Sequence, residues 1–328
     1  MKEVRWGIIG TGGIAHRFAQ ACKNSDGAVL SAVASRSIEN ANSFADEFGI
    51  PQRFGSYKEM AESDAIDAAY VAVPHGLHAA CAILFMNNGK HILSEKPITI
   101  NSSEFFKMTE CAKRNKVFLM EAMWARMVPG TLRLMELVKS GRLGRIKGIQ
   151  GSFCYDMSDE PNHHAFSSDS GGSLLDVGCY ALSFASWYSS AAVEKITAVA
   201  DIGKLNHVDE HCCILIKYTD GTIASLSSAM MLKKPNEGYL FGEKGYVKVG
   251  RFYAPEKLEI FIDGCPEEII ETPYKGNGFE EEIQEASRCI SAGLTQSPLM
   301  PHSQSAYILS QMDEIRSQIG LTFPCDVK

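Results

Sequence analysis

A glycine-rich turn near the N-terminus constrains this chain more than any other feature. An apolar run at residues 4–9 precedes it, a segment of helical character at 16–19 follows it, and the turn reads Gly10-Thr11-Gly12-Gly13-Ile14-Ala15. Gly10 permits a tight turn, and Gly12 lets the backbone approach a phosphate without a Cβ in the way. The helix that follows offers free N–H groups to an anion. Strand, glycine turn and helix in this order favour a dinucleotide site over an ordinary strand-to-helix turn, with Gly10, Gly12, Gly13 and Ile14 at the phosphates.

The length and charge of the chain exclude several kinds of partner. At 328 residues it is too long for one typical core, so we expect two domains. A formal net charge of −7 provides no basic surface for nucleic acid or an anionic membrane. The sequence shows neither a signal-peptide pattern nor an apolar run of the roughly 20 residues that span a bilayer. We therefore expect a cytoplasmic protein without nucleic-acid or membrane partners.

The cysteines indicate neither disulfides nor a zinc site. Of the 10 cysteines, eight stand singly, Cys212 and Cys213 are adjacent, and no Cys-x-x-Cys pair occurs, which is typical of buried free thiols. His207, His211 and Cys212 lie close together in the sequence, but two histidines without a clear third ligand do not predict a metal centre. We expect no metal.

The first third of the chain alternates strand-like and helix-like segments. Predicted strands cover residues 4–9, 30–34, 65–73, 91–94 and 117–120, and predicted helices cover 38–48, 77–88 and 102–115. Such alternation with short connections predicts an α/β protein with a doubly wound parallel sheet, the Rossmann arrangement. We place the end of this dinucleotide-binding domain at residue 121.

Residues 122–328 have a different pattern. An extended run at 146–157 and a helix at 173–188 precede several strands with tight turns between them, and two amphipathic helices end the chain; the later strands are predicted at 195–201, 210–218, 222–231, 246–249 and 258–262, and the helices at 279–292 and 306–319. Thr219-Asp220-Gly221-Thr222 is a hairpin signal. Consecutive strands of this kind predict an antiparallel or mixed sheet in the second domain.

The end of the second strand bears on the choice of cofactor. Proteins of this fold that prefer NAD usually carry an acid there, which binds the ribose 2′-hydroxyl. No Asp or Glu lies between Leu30 and Ile38, and the chain has Ser35, Arg36 and Ser37 instead. These side chains suit a dianionic 2′-phosphate. The sequence therefore favours NADP over NAD.

Further candidate residues follow the next strands or share one helix. Pro74, His75 and His78 follow the third strand, and Glu95 and Lys96 follow the fourth, at the sheet edge where cofactors bind. Asp176 and Tyr180 are four residues apart, so they project from one face of an otherwise apolar helix. This pair indicates either catalysis or a buried tyrosine satisfied by its neighbouring aspartate.

Four motifs together resemble one enzyme family. Gly10-x-Gly12-x-x-Ala15, Glu95-Lys96-Pro97, Glu121-Ala122-Met123-Trp124 and Gly171-Gly172-x-x-x-Asp176-x-Gly178-x-Tyr180 occur in the order of the glucose–fructose oxidoreductase/inositol dehydrogenase (Gfo/Idh/MocA) family. The second pair of motifs resembles the branch with dimeric dihydrodiol dehydrogenase and NADP-dependent D-xylose dehydrogenase. The resemblance implies a C-terminal α/β domain, residues 122–328, with an open, mostly antiparallel sheet that binds substrate and forms a dimer. It also implies a cis peptide before Pro97 and a homodimer or dimer of dimers.

The resemblance further implies that Lys96, Asp176 and Tyr180 surround the reacting carbon of a sugar or cyclic diol. A nearby Lys96 cation would lower the pKa of Tyr180 and suit it to proton transfer, although Lys96 itself is an alternative. Predicted substrate contacts follow the interdomain strand or precede the glycine pair: Trp124, Arg126, Phe153, Tyr155 and His163. A non-catalytic NAD(P)-binding sensor or scaffold and a deoxyketose or anhydro-sugar reductase are the alternative functions.

Overall fold

The computed structural model describes residues 3–160 and 163–326. The chain divides into two compact units, Met1–Trp124 with Lys275–Ala306 and Ala125–Tyr274 with Tyr307–Lys328. This differs from a single cut after residue 121, because a late segment packs with the N-terminal unit. Trp6 Nε1 donates a hydrogen bond to Ser287 Oγ at 3.0 Å, and Ser305 Oγ donates one to the Glu121 carboxylate at 2.5 Å. The sequence pattern gave no sign of this return.

The first unit contains a parallel sheet with helices between its strands. Among the described residues the strand order is β3-β2-β1-β4-β5-β6, the order typical of dinucleotide-binding sheets. The strands are β1 Val4–Ile9, β2 Ala28–Ala34, β3 Gln52–Phe54, β4 Ala68–Val71, β5 His91–Glu95 and β6 Leu119–Ala122; the helices are α1 Gly13–Cys22, α2 Ile38–Phe48, α3 Tyr57–Glu62, α4 His78–Asn87 and α5 Ser102–Asn115. The predicted doubly wound parallel sheet is confirmed.

Burial explains why these strands form the centre of the unit. Ile8 and Tyr70 are fully buried neighbours in the register of β1 and β4, as a sheet covered on both faces requires. α2 begins where Ser37 Oγ accepts a hydrogen bond from Asn40 N–H at 3.3 Å and ends at the left-handed Gly49. β3 and α3 were not predicted, since both are too short for a periodic pattern.

The second unit contains a larger sheet, which is antiparallel except where β10 pairs with β7. Among the described residues its order is β14-β13-β12-β11-β7-β10-β9-β8. The strands are β7 Ile146–Cys154, β8 Val193–Ile202, β9 Asp209–Tyr218, β10 Ile223–Ala229, β11 Glu237–Gly242, β12 Gly245–Gly250, β13 Lys257–Ile262 and β14 Glu268–Glu271. The helices after residue 125 are α6 Pro129–Lys139, a π-helix Leu174–Gly178, α7 Cys179–Tyr188, α8 Glu280–Ser291 and α9 His302–Ile319, of which α8 belongs to the first unit.

One face of this sheet is covered by α7 and the other is open. Along β9, Cys212, Ile214 and Ile216 are buried, whereas Cys213 and Leu215 between them are exposed. The predicted open, mostly antiparallel sheet is therefore confirmed. The expectation of buried thiols is wrong for Cys213, because strand alternation places it on the open face, and for Cys265, which is exposed; Cys325 is half-buried. None of the described helices is both long enough and apolar enough to cross a membrane.

Candidate active site

The glycine turn leaves the N-terminus of α1 open to a ligand. Gly10 has a φ of 102°, and a Cβ there would lie 2.5 Å from the Ala72 carbonyl oxygen, so the turn requires glycine. A Cβ at Gly12 or Gly13 would meet no atom within 4 Å. No side chain caps α1 and its first turn carries no acid. This arrangement fits a dinucleotide, whose pyrophosphate Gly12, Gly13 and Ile14 would hold with backbone N–H groups.

The first turn of α2, which follows β2, contains an acid that the sequence analysis did not include, Glu39. Ser37 Oγ donates a hydrogen bond to the Glu39 carboxylate at 2.6 Å, and this bond lowers the pKa of Glu39. Ser35 is buried and Arg36 is exposed. Arg36 lies beside the phenol of Tyr57. Burial raises the pKa of this phenol, and the guanidinium of Arg36 opposes part of that rise. Glu39 lies one position beyond Ile38, the end of the segment that lacks acids.

The two histidines after β4 are buried. His78 Nδ1 lies 2.9 Å from the Pro97 carbonyl oxygen and Nε2 lies 2.8 Å from the Val73 carbonyl oxygen. The ring is fully buried between these two segments, so His78 connects the ends of β4 and β5. These contacts give His78 a structural role, and its contact with the cofactor stays a prediction. His75, in a short 3₁₀ turn after Pro74, is 5% exposed.

Two buried acids surround the segment that contains Lys96. The Lys96–Pro97 peptide is cis, as the family resemblance implied. Glu95 accepts hydrogen bonds from Tyr70 Oη and from Lys96 N–H, and Glu121 accepts from Ile98 N–H at 3.0 Å. Burial raises the pKa of both carboxyl groups, and the positive charge of Lys96 opposes that rise. Glu95 therefore supports the Lys96 segment from inside the unit, although it was predicted to contact the cofactor.

Trp124 belongs to an aromatic and cationic cluster in the first unit. Its ring centroid lies 5.3 Å from that of Phe279, and the Arg17 guanidinium lies 5.2 Å from the Trp124 centroid and 4.4 Å from that of Phe279. Trp124 is 5% exposed. No sequence pattern linked Phe279 to Trp124, because the two residues are distant in the chain.

In the second unit, the glycine pair and a buried acid fix the start of the helix that bears Asp176 and Tyr180. A Cβ at Gly171 would lie 2.3 Å from the Ala165 carbonyl oxygen, and one at Gly172 would lie 2.2 Å from Asp209 Oδ1. The Asp209 carboxylate accepts hydrogen bonds from Ser173 Oγ and Leu174 N–H, both at 2.7 Å. Burial raises the pKa of Asp209 to about 7. Asp209 was not predicted, since it lies 36 positions after Ser173.

The helix itself differs from the prediction at its first turn. Residues 174–178 form a π-helix and 179–188 an α-helix, where the sequence pattern indicated one α-helix. Hydrophobic periodicity cannot distinguish one π turn from an α turn. Single π turns are frequent at functional sites. Asp176 and Tyr180 are both buried, at 9% and 7% exposure.

Aromatic rings surround Tyr180. The Phe153 centroid lies 5.3 Å from that of Tyr180 and 4.9 Å from that of Tyr155. Tyr253 stacks on Phe153 at 3.8 Å and lies 6.0 Å from Tyr180. The structure therefore brings together three residues that the sequence singled out and adds Tyr253, which follows the sheet hairpin β11–β12. An aromatic wall of this kind suits the apolar face of a ring-shaped substrate.

Two other predicted substrate residues make contacts elsewhere in the second unit. Arg126 lies over Trp187, with its Cζ 5.8 Å from the ring centroid. Trp187 is seven residues after Tyr180 along α7, which corresponds to about 10 Å along a helix axis. His163 Nδ1 accepts a hydrogen bond from Ala165 N–H at 3.2 Å and so shapes the loop before the glycine pair.

Comparison with known proteins decides the family. Residues 4–123 match the model of an oxidoreductase family with an NAD-binding Rossmann fold, and residues 131–248 match the Gfo/Idh/MocA C-terminal domain. The chain belongs to the Gfo/Idh/MocA oxidoreductase family. As a member of that family it is an NAD(P)-dependent oxidoreductase, and the resemblance seen in its motifs is confirmed.

Family members with similar sequences cover the whole chain. Trans-1,2-dihydrobenzene-1,2-diol dehydrogenase of Mus musculus is 32% identical over 334 residues, with 98% of this chain and 99% of the relative covered. The Homo sapiens enzyme of the same name is 30% identical over 335 residues, with the same coverage. The predicted branch of the Gfo/Idh/MocA family agrees with these relatives.

Solved structures of more distant proteins share the fold. A 3-ketoreductase from Actinomadura kijaniata, in complex with NADP and TDP-benzene, has a TM-score of 0.89 at 24% identity and covers 97% of this chain and 98% of its own. Levoglucosan dehydrogenase, in complex with NADH and L-sorbose, has a TM-score of 0.87 at 19% identity, with 98% and 97% covered. At these identities the likeness shows the Gfo/Idh/MocA fold alone.

Proposed function

We propose that this protein is an NADP-dependent dehydrogenase that oxidises a carbinol or hemiacetal carbon of a sugar or cyclic diol, in a reversible reaction. The observation that carries the proposal is the similarity, along nearly the full chain, to relatives named dihydrodiol dehydrogenases. The open N-terminus of α1 beyond Gly12 and the aromatic rings around Tyr180 support it, since they suit a dinucleotide and a ring-shaped substrate. We assign dinucleotide binding to residues 1–121 and substrate binding to 122–328.

The proposed chemistry divides the work between a cofactor and three side chains. Nicotinamide, when bound, supplies the hydride acceptor or donor. The Lys96 ammonium stabilises Tyr180 as a phenolate, and the phenolate Oη takes the proton from the substrate hydroxyl and becomes a phenol. Asp176 orients the substrate hydroxyl or Lys96. In the alternative assignment, Lys96 Nζ exchanges the proton directly.

Preference for NADP rests on the end of β2. Ser35 and Arg36 would bind the 2′-phosphate, and Arg36 is exposed and can reach a ligand. Glu39 works against this preference, because its carboxylate already accepts a hydrogen bond from Ser37 and repels a phosphate. We propose that Arg36 outweighs Glu39. Pro74 and His75 would line the nicotinamide side of the cofactor.

The remaining proposals concern substrate contacts and assembly. Phe153, Tyr155, Trp124 and His163 would contact the substrate. We propose a homodimer, or a dimer of dimers, formed through the open face of the second sheet, where Val199, Leu215 and Ile223 are 69%, 54% and 53% exposed. A cytoplasmic location is part of the same proposal.

The proposal is tested by following the absorbance of NADPH at about 340 nm while the enzyme and NADP are mixed with a panel of aldoses and cyclic diols. Saturable reduction of NADP by at least one substrate, with a lower catalytic efficiency for NAD, supports it. Binding of NADPH without turnover of any substrate would favour the sensor or scaffold instead. Reduction of ketoses or anhydro-sugars only, in the reverse direction, would favour a reductase.

A further inference from the structure

A cavity in the second unit is lined by Arg126, which forms no ion pair with the residues that the structure describes. The cavity has a volume of about 500 Å³ and lies between α6 and the end of α7; its lining comprises Arg126, Leu132, Met135, Glu136, Val138, Lys139, Trp187, Tyr188, Ser189 and Ser190. Leu132, Met135, Glu136 and Lys139 share one face of α6, with the spacing of neighbouring helical turns. The same wall therefore combines an apolar stripe with charged groups.

Three polar groups of this cavity, each able to donate a hydrogen bond, have no partner among the described residues. Arg126 Nη1, Trp187 Nε1 and Ser189 Oγ are buried and have no hydrogen-bond partner among the described residues. Unpaired buried donors are costly, and a guanidinium more so than a neutral group. Three of them around one cavity indicate that an acceptor belongs there.

The charges around the cavity also favour an acceptor with a negative charge. Glu136 pairs with Arg133 at 3.0 Å, so its charge is already matched by another cation. Tyr188 is fully buried, and burial raises the pKa of its phenol, with Arg126 opposing the rise; the phenol therefore stays neutral. Lys139 adds a second positive charge. Arg126 thus lacks a counter-ion in the part of the chain that the structure describes.

We propose that this cavity binds a small organic anion, whose carboxylate or phosphate headgroup is held by Arg126 and whose apolar body packs against Trp187 and the apolar stripe of α6. Arginine offers a planar fork that suits either headgroup. Leu132, Met135 and Val138 favour an organic ligand over a free inorganic ion, because an inorganic ion would leave them against water. The site is distinct from the rings around Tyr180.

The indole N–H of Trp187 offers a direct readout of binding. The chain has 3 tryptophans, so ¹⁵N-tryptophan labelling gives a simple NMR spectrum that Trp187→Phe assigns. The full chain is titrated with benzoate, phenyl phosphate, inorganic phosphate and neutral benzyl alcohol. We expect a saturable shift of the Trp187 signal with benzoate or phenyl phosphate, and weaker effects of inorganic phosphate and benzyl alcohol.

Variants separate this site from a general charge effect. Arg126→Gln should weaken binding of the responding anion about tenfold or more, as loss of a charged hydrogen bond predicts. Ser189→Ala should weaken it less, and it serves if Arg126→Gln does not fold. Arg145→Gln removes an equal charge from an exposed position outside the cavity lining and should leave binding unchanged. The Trp6 indole signal, whose N–H donates to Ser287, monitors the fold.

Three results would overturn the proposal. The first is a Trp187 signal that responds to neither organic anion. The second is a response to inorganic phosphate or benzyl alcohol as strong as that to the organic anions. The third is binding that Arg126→Gln and Ser189→Ala leave intact while both variants remain folded. Each result is independent of NADP turnover, so failure here leaves the proposed function untouched.

Discussion

The hydroxyl of Tyr70 donates a hydrogen bond to the carboxylate of Glu95, the residue that precedes Lys96. Tyr70 is fully buried and stacks on Phe18, with ring centroids 3.8 Å apart. The acid beside Lys96 is therefore held by a rigid phenol inside the first unit. This relationship connects the packing of the parallel sheet to the placement of the proposed catalytic lysine.

Tyr70→Phe should destabilise the protein by about 1–3 kcal/mol, because the buried Glu95 carboxylate loses a donor. Burial raises the pKa of Glu95 and the Tyr70 bond lowers it, so the variant should have a still higher Glu95 pKa. When folding raises the pKa of a group, the free energy of unfolding of the protein falls as the pH rises from the unfolded-state pKa to the folded-state pKa of that group. As the pH rises above 4.5, the ordinary pKa of a glutamate, the thermal midpoint of Tyr70→Phe should therefore fall further than that of the wild type. If the thermal midpoints of the two proteins fall by the same amount as the pH rises, this role of Tyr70 is contradicted.

Gly10 and Gly12 should respond differently to alanine. Gly10→Ala should destabilise the fold, since φ is 102° and the new Cβ would lie 2.5 Å from the Ala72 carbonyl oxygen. Gly12→Ala meets no atom within 4 Å, so it should cost at most about 1 kcal/mol of stability. It should nevertheless weaken NADP binding about tenfold or more, because the methyl group occupies the space for the pyrophosphate. Thermal unfolding and cofactor titration check both variants. Unchanged NADP affinity of a folded Gly12→Ala protein would place the cofactor elsewhere.

Asp209→Asn should change how stability depends on pH. Burial raises the pKa of Asp209 to about 7, well above its ordinary value of 3.8. The folded state therefore binds this proton more tightly than the unfolded state, and stability falls as the pH rises from about 4 to about 7. The thermal midpoint of the wild type should drop over this range by more than that of Asp209→Asn, which cannot ionise. If both proteins lose the same number of degrees, Asp209 does not titrate in this range.

Glu39→Gln should increase the preference for NADP. The hydrogen bond from Ser37 lowers the pKa of Glu39, so this acid is ionised at neutral pH and repels a 2′-phosphate. Removal of the charge should raise the ratio of kcat/KM for NADP to that for NAD by about tenfold. Glu47→Gln, at the other end of α2, is the matched control. A ratio that rises equally in both variants would assign the effect to net charge.

Much of the fold followed from sequence because its signals are local. The alternation of apolar runs and helical patterns predicted the parallel sheet, and α5 was predicted with the bounds that the structure has, Ser102–Asn115. Short or late elements were missed for a physical reason. β3 has 3 residues, and the assignment of α8 to the first unit depends on contacts such as Trp6 with Ser287, which no local pattern encodes.

Site residues that belong to a local motif could be predicted from the sequence. Site residues that are brought together by tertiary packing could not. The glycine turn and the residues Phe153, Tyr155 and Tyr180 could be selected from motifs and from their place before or within one helix. Tyr253, Asp209 and the π turn depend on contacts between segments far apart in the chain. The burial of His78 could not be predicted, because a buried structural histidine has the same sequence signature as an exposed ligand.

The proton-transfer role of Tyr180 is the central claim, and single-turnover hydride transfer in Tyr180→Phe tests it most directly. The measurement follows NADPH absorbance after substrate is mixed with the enzyme–NADP complex, with Tyr188→Phe on the same helix as the control. We predict a rate about 10²-fold below that of the wild type for Tyr180→Phe, with unchanged NADP affinity and a nearly normal rate for the control. A Tyr180→Phe rate within about twofold of the wild type would contradict the claim and transfer the role to Lys96.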